Sequence, residues 1–208
     1  MHRNRVWSTL IVLALLLIAA GLFWPQSPEV PPQAGSHQGA PAGTQGLQGG
    51  PIELPISSRE GPLRLDDYRG NHVWLYFGYT SCPDACPMSL GIISGALSQL
   101  PPDWQGRVHG LFISVDPERD TGERLKAYAN YFHPQITAAT GPHDRLRDIS
   151  GRYGVYYQHT EVESALGYVV DHSSATYLVG PDGSLLAVYP HGTTPEQLLD
   201  GLLESGRD

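Results

Sequence analysis

The chain of 208 residues contains two cysteines, and both fall in the stretch YTSCPDACPMSL (79–90). Cys82 and Cys86 are separated by three residues, and a proline follows each. Two thiols this close can form a stapling disulfide, a redox couple or half of a metal site. A disulfide closing so short a loop on one element adds little rigidity, since the constraint grows with the length of chain enclosed. The redox motif of thioredoxin-like enzymes places two residues between its cysteines. The extra residue here widens the loop and suits a shared ion. Thiolates are soft ligands that select Cu(I), zinc or an iron–sulfur cluster, and such a site normally needs at least a third donor.

The third donor is sought among the histidines. His172, in VVDHSSATYLV, precedes an apolar run, and the other histidines of the C-terminal part are His72, His109, His133, His143, His159 and His191. By residue type all are as plausible as His172, and spacing alone does not choose between them.

Positioning two thiols requires a rigid frame, and the sequence supplies a pattern for one. HVWLYFGY (72–79) and RVHGLFISV (107–115) are β-rich apolar runs of the kind buried in parallel sheets. ATYLVG (175–180) and SLLAVYP (184–190) are two more, and Pro181-Asp182-Gly183 between them predicts a hairpin. Helical patterns cover 87–100, 121–132, 143–152 and 194–205. The order β, α, β, α, α, β, β, α predicts an α/β thioredoxin-like domain, a mixed sheet with helices on both faces. Residues before proline avoid the α region, so both cysteines are expected outside the helix, with Pro87 as its first residue. The pair then sits in a stiff loop at a strand-to-helix junction, where the helix N-terminus favours thiolate over thiol. In such a sheet the loop carrying His172, expected just before the third strand, rises beside that N-terminus.

The N-terminal part reads differently. Arg3 and Arg5 precede an apolar run over 6–24, long enough to span a bilayer as one transmembrane helix, with a signal peptide cleaved at Ile18-Ala19-Ala20 as the competing reading. The basic flank predicts a cytoplasmic N-terminus, with all that follows outside the cytoplasm. Residues 25–50 are rich in Pro, Gly, Gln and Ala and are expected to form a flexible tether in which His37 is solvated. The predicted organisation is therefore an anchor over 1–24, a tether over 25–50 and a folded domain over 51–208. A formal net charge of -8 argues against a nucleic-acid partner, which needs clustered Lys and Arg.

Three blocks in register, GYTSCPDACPMSL, ISVDPERDT and YVVDHSSATYLVGPDG, resemble the Sco/SenC family of membrane-anchored, thioredoxin-like copper proteins. The resemblance runs from about residue 54 to the C-terminus. It implies copper, Cu(I) or Cu(II), held by Cys82, Cys86 and His172. It further implies assembly of the dinuclear copper centre of cytochrome c oxidase, with the oxidase copper-site subunit and a copper donor protein as partners, at the inner membrane with the domain in the periplasm. A copper chaperone is one role compatible with it. The alternative is a thiol–disulfide oxidoreductase in which Cys82 and Cys86 reduce the cysteines of that centre, a role that leaves His172 without an obvious task.

Two acidic positions remain. In DPERDT (116–121), Asp120 or Thr121 is expected to cap the following helix, with Glu123 as capping-box partner of Asp120. The retention of that block in the family implies instead that Asp116 lies close to the metal loop. Asp171, beside His172, is expected as a solvated loop carboxylate or as a similar neighbour of the metal.

Overall fold

The computed structural model describes residues 44, 46–163 and 167–206. The frame is a six-stranded mixed sheet. Its central strand, β4 (His72–Gly78), is buried along its whole length. It pairs in parallel with β5 (Val108–Ser114) on one side and antiparallel with β9 (Thr176–Val179) on the other. Beyond β5 lie β6 (Ile136–Thr140) and the short β2 (Ile56–Ser57), and beyond β9 lies β10 (Leu185–Tyr189), giving the order β10-β9-β4-β5-β6-β2. Two small ribbons stand apart: β1 (Glu53–Leu54) with β3 (Leu63–Arg64), and β7 (Tyr157–Glu161) with β8 (Tyr168–His172). The helices are α1 (Ala85–Ser98), α2 (Gly122–Phe132), α3 (His143–Arg152) and α4 (Pro195–Ser205).

Alternation along β4 assigns the layers. Trp74, Tyr76 and Gly78 share one face, and Val73, Leu75 and Phe77 the other. The first face meets α1 at Gly78, whose neighbour is Cys86, and Tyr76 stacks on Phe112, which in turn packs on Tyr128 of α2. On the second face Phe77 lies 5.7 Å from the ring of Tyr153 at the end of α3. The sheet is thus covered on both sides, and apolar strands without polar alternation are the sequence consequence.

The four apolar runs form the predicted strands, and the hairpin turns where expected, with Gly183 at φ 79, a conformation that side chains avoid. Six strands were not foreseen: the two-residue β1, β2 and β3, and β6, β7 and β8. β6 reads ITAAT, whose small alanines give no apolar signal, yet Ala138 and Ala139 are fully buried between neighbouring strands. It turns the expected pair of consecutive helices into a β-α-β-α succession. β7 is exposed along most of its length and carries no apolar signal, although it pairs with β8, whose Val170 is buried.

The expected anchor and the tether up to residue 43 lie outside the described residues. Among the described residues, no helix is long and apolar enough to cross a membrane. The end of the expected tether is docked on the domain: the Gln48 and Gly49 N–H groups donate to the Arg152 carbonyl, and the Tyr153 hydroxyl donates to the Gly50 carbonyl. Leu47 packs against the core. The folded part therefore begins several residues before 51.

Candidate metal centre

β4 delivers the chain to the site. After Gly78 it runs through Tyr79–Asp84 and enters α1 at Ala85. Cys86 is accordingly inside the first helical turn, not in the loop before it, and only Cys82 occupies the loop. The restriction that proline places on its predecessor is a bias, and in a first turn the missing Pro87 N–H has no intrahelical partner to lose. The Met88 N–H already donates to the Asp84 carbonyl at 3.1 Å, closing that turn. Cys86 is fully buried and Cys82 is half-buried. Both are free thiols.

Gly78 makes the buried thiol possible. A Cβ at this position would stand 2.5 Å from the Cys86 Sγ and 3.1 Å from both Phe112 and Tyr76. The absence of a side chain lets the helix N-terminus approach the end of the strand.

His172 is the last residue of β8, not a loop residue, and it sits opposite Tyr157 in the ribbon register. Its Nε2 lies 3.4 Å from the Cys86 Sγ, and its Nδ1 lies 3.0 Å from the Ser173 carbonyl oxygen. A carbonyl only accepts, so Nδ1 carries the proton and Nε2 presents a lone pair to the thiols. The rings of Tyr76 and Tyr79 meet the imidazole edge-on at 6.1 and 5.9 Å and fix its plane. One ligand atom from each of Cys82, Cys86 and His172 falls within 4.8 Å of the others. Three donors from three elements thus converge, two of them soft sulfurs and one an imidazole.

The thiols divide their roles electrostatically. A hydrogen bond from Cys86 holds the Cys82 thiol far below its usual range, to about 3, against the cost of burial and with help from the Cys86 and Asp84 N–H groups. Cys86 moves the opposite way, because it shares its proton with Cys82 and is buried beside that charge. The half-exposed sulfur is the thiolate, and the buried one retains the proton.

The remaining histidines are occupied elsewhere. His72 packs on Trp104, and burial lowers its pKa. His109 packs against Tyr68, His133 accepts the Gln135 N–H through Nδ1 beside the end of α2, and His191 is exposed. His143 and His159 lie near Glu118, outside the thiol site. Among the described residues, His172 is the histidine that groups with both thiols.

Asp120 departs from its expected role. The Thr121 side chain caps α2 by accepting the Arg124 N–H. Asp120 is buried and accepts instead from the Thr80 N–H at 2.9 Å, the Thr80 hydroxyl and the Ser114 hydroxyl. Arg124 adds bonds to the hydroxyls of Thr80 and Ser81. The loop before Cys82 is thus clamped from α2, which a local capping pattern could not reveal. Asp116 is also buried, accepting from the Arg119 Nε and the Tyr168 hydroxyl. It reaches the site indirectly, since the Arg119 guanidinium lies 5.5 Å from the centre of the Tyr79 ring. Asp171 is exposed and accepts from the Thr160 hydroxyl across the ribbon.

A family model described as SCO1/SenC matches residues 47–205. The mitochondrial SCO2 homolog of Bos taurus is 39% identical over 142 residues, which cover 65% of this chain and 52% of that protein. This chain spans about half the length of the curated relatives it matches. Among solved structures, Arabidopsis thaliana ScoI with copper bound aligns at a TM-score of 0.71 and 34% identity, covering 76% of this chain and 98% of that one. Yeast Sco1 with copper bound aligns at 0.69 and 29% identity, covering 78% and 90%.

Proposed function

The chain belongs to the SCO1/SenC family, and from that premise we propose that it carries copper on Cys82, Cys86 and His172 and delivers it to the dinuclear copper centre of cytochrome c oxidase. The observation that carries this reading is the convergence of two sulfurs and one imidazole nitrogen within 4.8 Å. Two thiolates retain Cu(I), and the imidazole adds the borderline donor that Cu(II) accepts. The locked Nδ1–H bond to Ser173 keeps the lone pair of Nε2 in place before the ion arrives, which lowers the cost of ordering the site. Cys82, half-exposed and already ionised, is the point at which an incoming thiolate of a client or donor protein can share the ion. The domain is held outside the cytoplasm by the apolar run over 6–24, next to the membrane in which the oxidase resides.

One observation favours a second reading. A half-exposed thiolate beside a buried protonated thiol is also the arrangement of a dithiol reductant. In that role the Cys82 sulfur attacks a client disulfide, forms a mixed disulfide and expels one client thiolate. Cys86, after losing its proton, then attacks the Cys82 sulfur and expels the second. Two electrons pass to the client, and the Cys82–Cys86 pair is left as a disulfide with no thiolate to hold copper.

Metal analysis of the reduced full chain beside Cys82→Ser and Cys86→Ser tests the copper reading. The wild type is expected to retain one copper and each variant to lose it. Equal, negligible copper in all three leaves only the reductant.

A further inference from the structure

A second group of ligating side chains lies outside the thiol site and takes no part in the chemistry above. Glu118 stands in the turn after β5, His143 opens α3, and His159 projects from β7. The His143 Nε2 donates to the Glu118 carboxylate. His159 meets the His143 ring edge-on at 5.9 Å, and a ligand nitrogen of His159 falls within 4.8 Å of the carboxylate oxygens of Glu118 and Asp116. His143 and His159 also line one open cleft together with Arg147 and Tyr157.

From this placement we propose that Glu118, His143 and His159 form a second metal site, selective for a divalent transition ion such as Zn(II). The donor set is two imidazoles and one carboxylate, a combination that suits Zn(II) with an open fourth position and that lacks the sulfur Cu(I) prefers. The ion replaces the proton that His143 now shares with Glu118, so no new side-chain order has to be created at that pair. Asp116 is not a ligand. Both of its oxygens are engaged, one by the Arg119 Nε and one by the Tyr168 hydroxyl, and it serves to fix the ribbon against the turn that carries Glu118.

The site has a structural consequence. It ties three elements that no strand ladder joins: the turn after β5, the start of α3 and the β7–β8 ribbon. The same ribbon ends in His172, opposite Tyr157 and two residues along β7 from His159. An ion held here pins the ribbon that presents the imidazole of the thiol site, without sharing a ligand with it.

The test uses Zn(II) alone and the full chain carrying Cys82→Ser, Cys86→Ser and His172→Ala, which removes the thiol site. Equilibrium dialysis is expected to show one Zn(II) per chain. Adding His159→Gln or Glu118→Gln is expected to weaken retention by about tenfold or more, as for loss of a metal contact, while His191→Gln, at an exposed position, leaves it unchanged. Glu118 and His159 are exposed, so neither change touches the core, and circular dichroism checks each fold. No Zn(II) on the thiol-free chain, or retention indifferent to both His159→Gln and Glu118→Gln, overturns the proposal. Neither outcome bears on copper at the cysteines.

Discussion

The imidazole of His172 faces the thiol of Cys86 across 3.4 Å, although 86 residues of chain separate them. The partner on its far side, the Ser173 carbonyl, fixes which nitrogen carries the proton. This pairing separates what sulfur and nitrogen contribute. Cu(I) tolerates low coordination and prefers thiolate, whereas Cu(II) accepts nitrogen and needs more donors. His172→Ala is expected to weaken both forms but to strip Cu(II) far more, while either Cys→Ser change removes both. Competition with a chelator, run anaerobically for Cu(I) and separately for Cu(II), measures it. Wild-type Cu(II) affinity in His172→Ala would show the third ligand to be another residue.

Gly78→Ala tests the close approach of strand and helix. The added methyl would stand 2.5 Å from the Cys86 Sγ, so the helix N-terminus must shift. A loss of about 1–3 kcal/mol in unfolding free energy is expected from such overpacking, together with weaker copper binding. Gly91→Ala, in α1 with open space around it, is expected to stabilise by about 1 kcal/mol instead. Denaturant titration of both variants decides the matter, and equal stability of the two contradicts the reading of Gly78.

Asp120→Ala probes the clamp on the loop before Cys82. The change leaves the Thr80 N–H and the buried Ser114 hydroxyl without their acceptor. Each such orphaned group costs about 1–3 kcal/mol. Copper affinity is expected to fall although no ligand is removed, with faster hydrogen exchange confined to residues 79–84. Thr121→Ala, which removes only the helix cap, is expected to lower stability without that local signature.

The thiol pair carries a pH signature. Cys82 falls from the ordinary thiol value to about 3 on folding, so its contribution to stability is full above that ordinary value and is lost as pH falls toward 3. Cys86 is raised, so its contribution is full below the ordinary value and is lost as pH rises beyond it. Alkylation of the reduced chain by iodoacetamide should therefore label Cys82 at a nearly constant rate between pH 5 and 8, with Cys86 protected. A rate for Cys82 that climbs about tenfold per pH unit over that range would show an unperturbed thiol.

The sequence alone determined the parts whose signal is local. The apolar runs of β4, β5 and β9 are legible because a strand buried on both faces cannot afford polar residues, and that of β10 by its apolar residues beyond the turn. The hairpin is legible because Pro181-Asp182-Gly183 restricts its own backbone. Cys82 and Cys86 announce themselves by type and spacing, and the three blocks around them carry the family. What the tertiary structure decided is non-local. β6 is held by neighbours on both sides and needs no bulky side chains of its own. β7 is exposed along most of its length and left no apolar trace, yet it pairs with β8, the strand that brings His172 to Cys86. Asp120 looks like a helix cap in sequence, and only the fold places Thr80 and Ser114 where they take its carboxylate away. That His172, among histidines equal in type, is the one beside both thiols rests on the same physics: it is a distance in space, and sequence spacing fixes such distances only within one element.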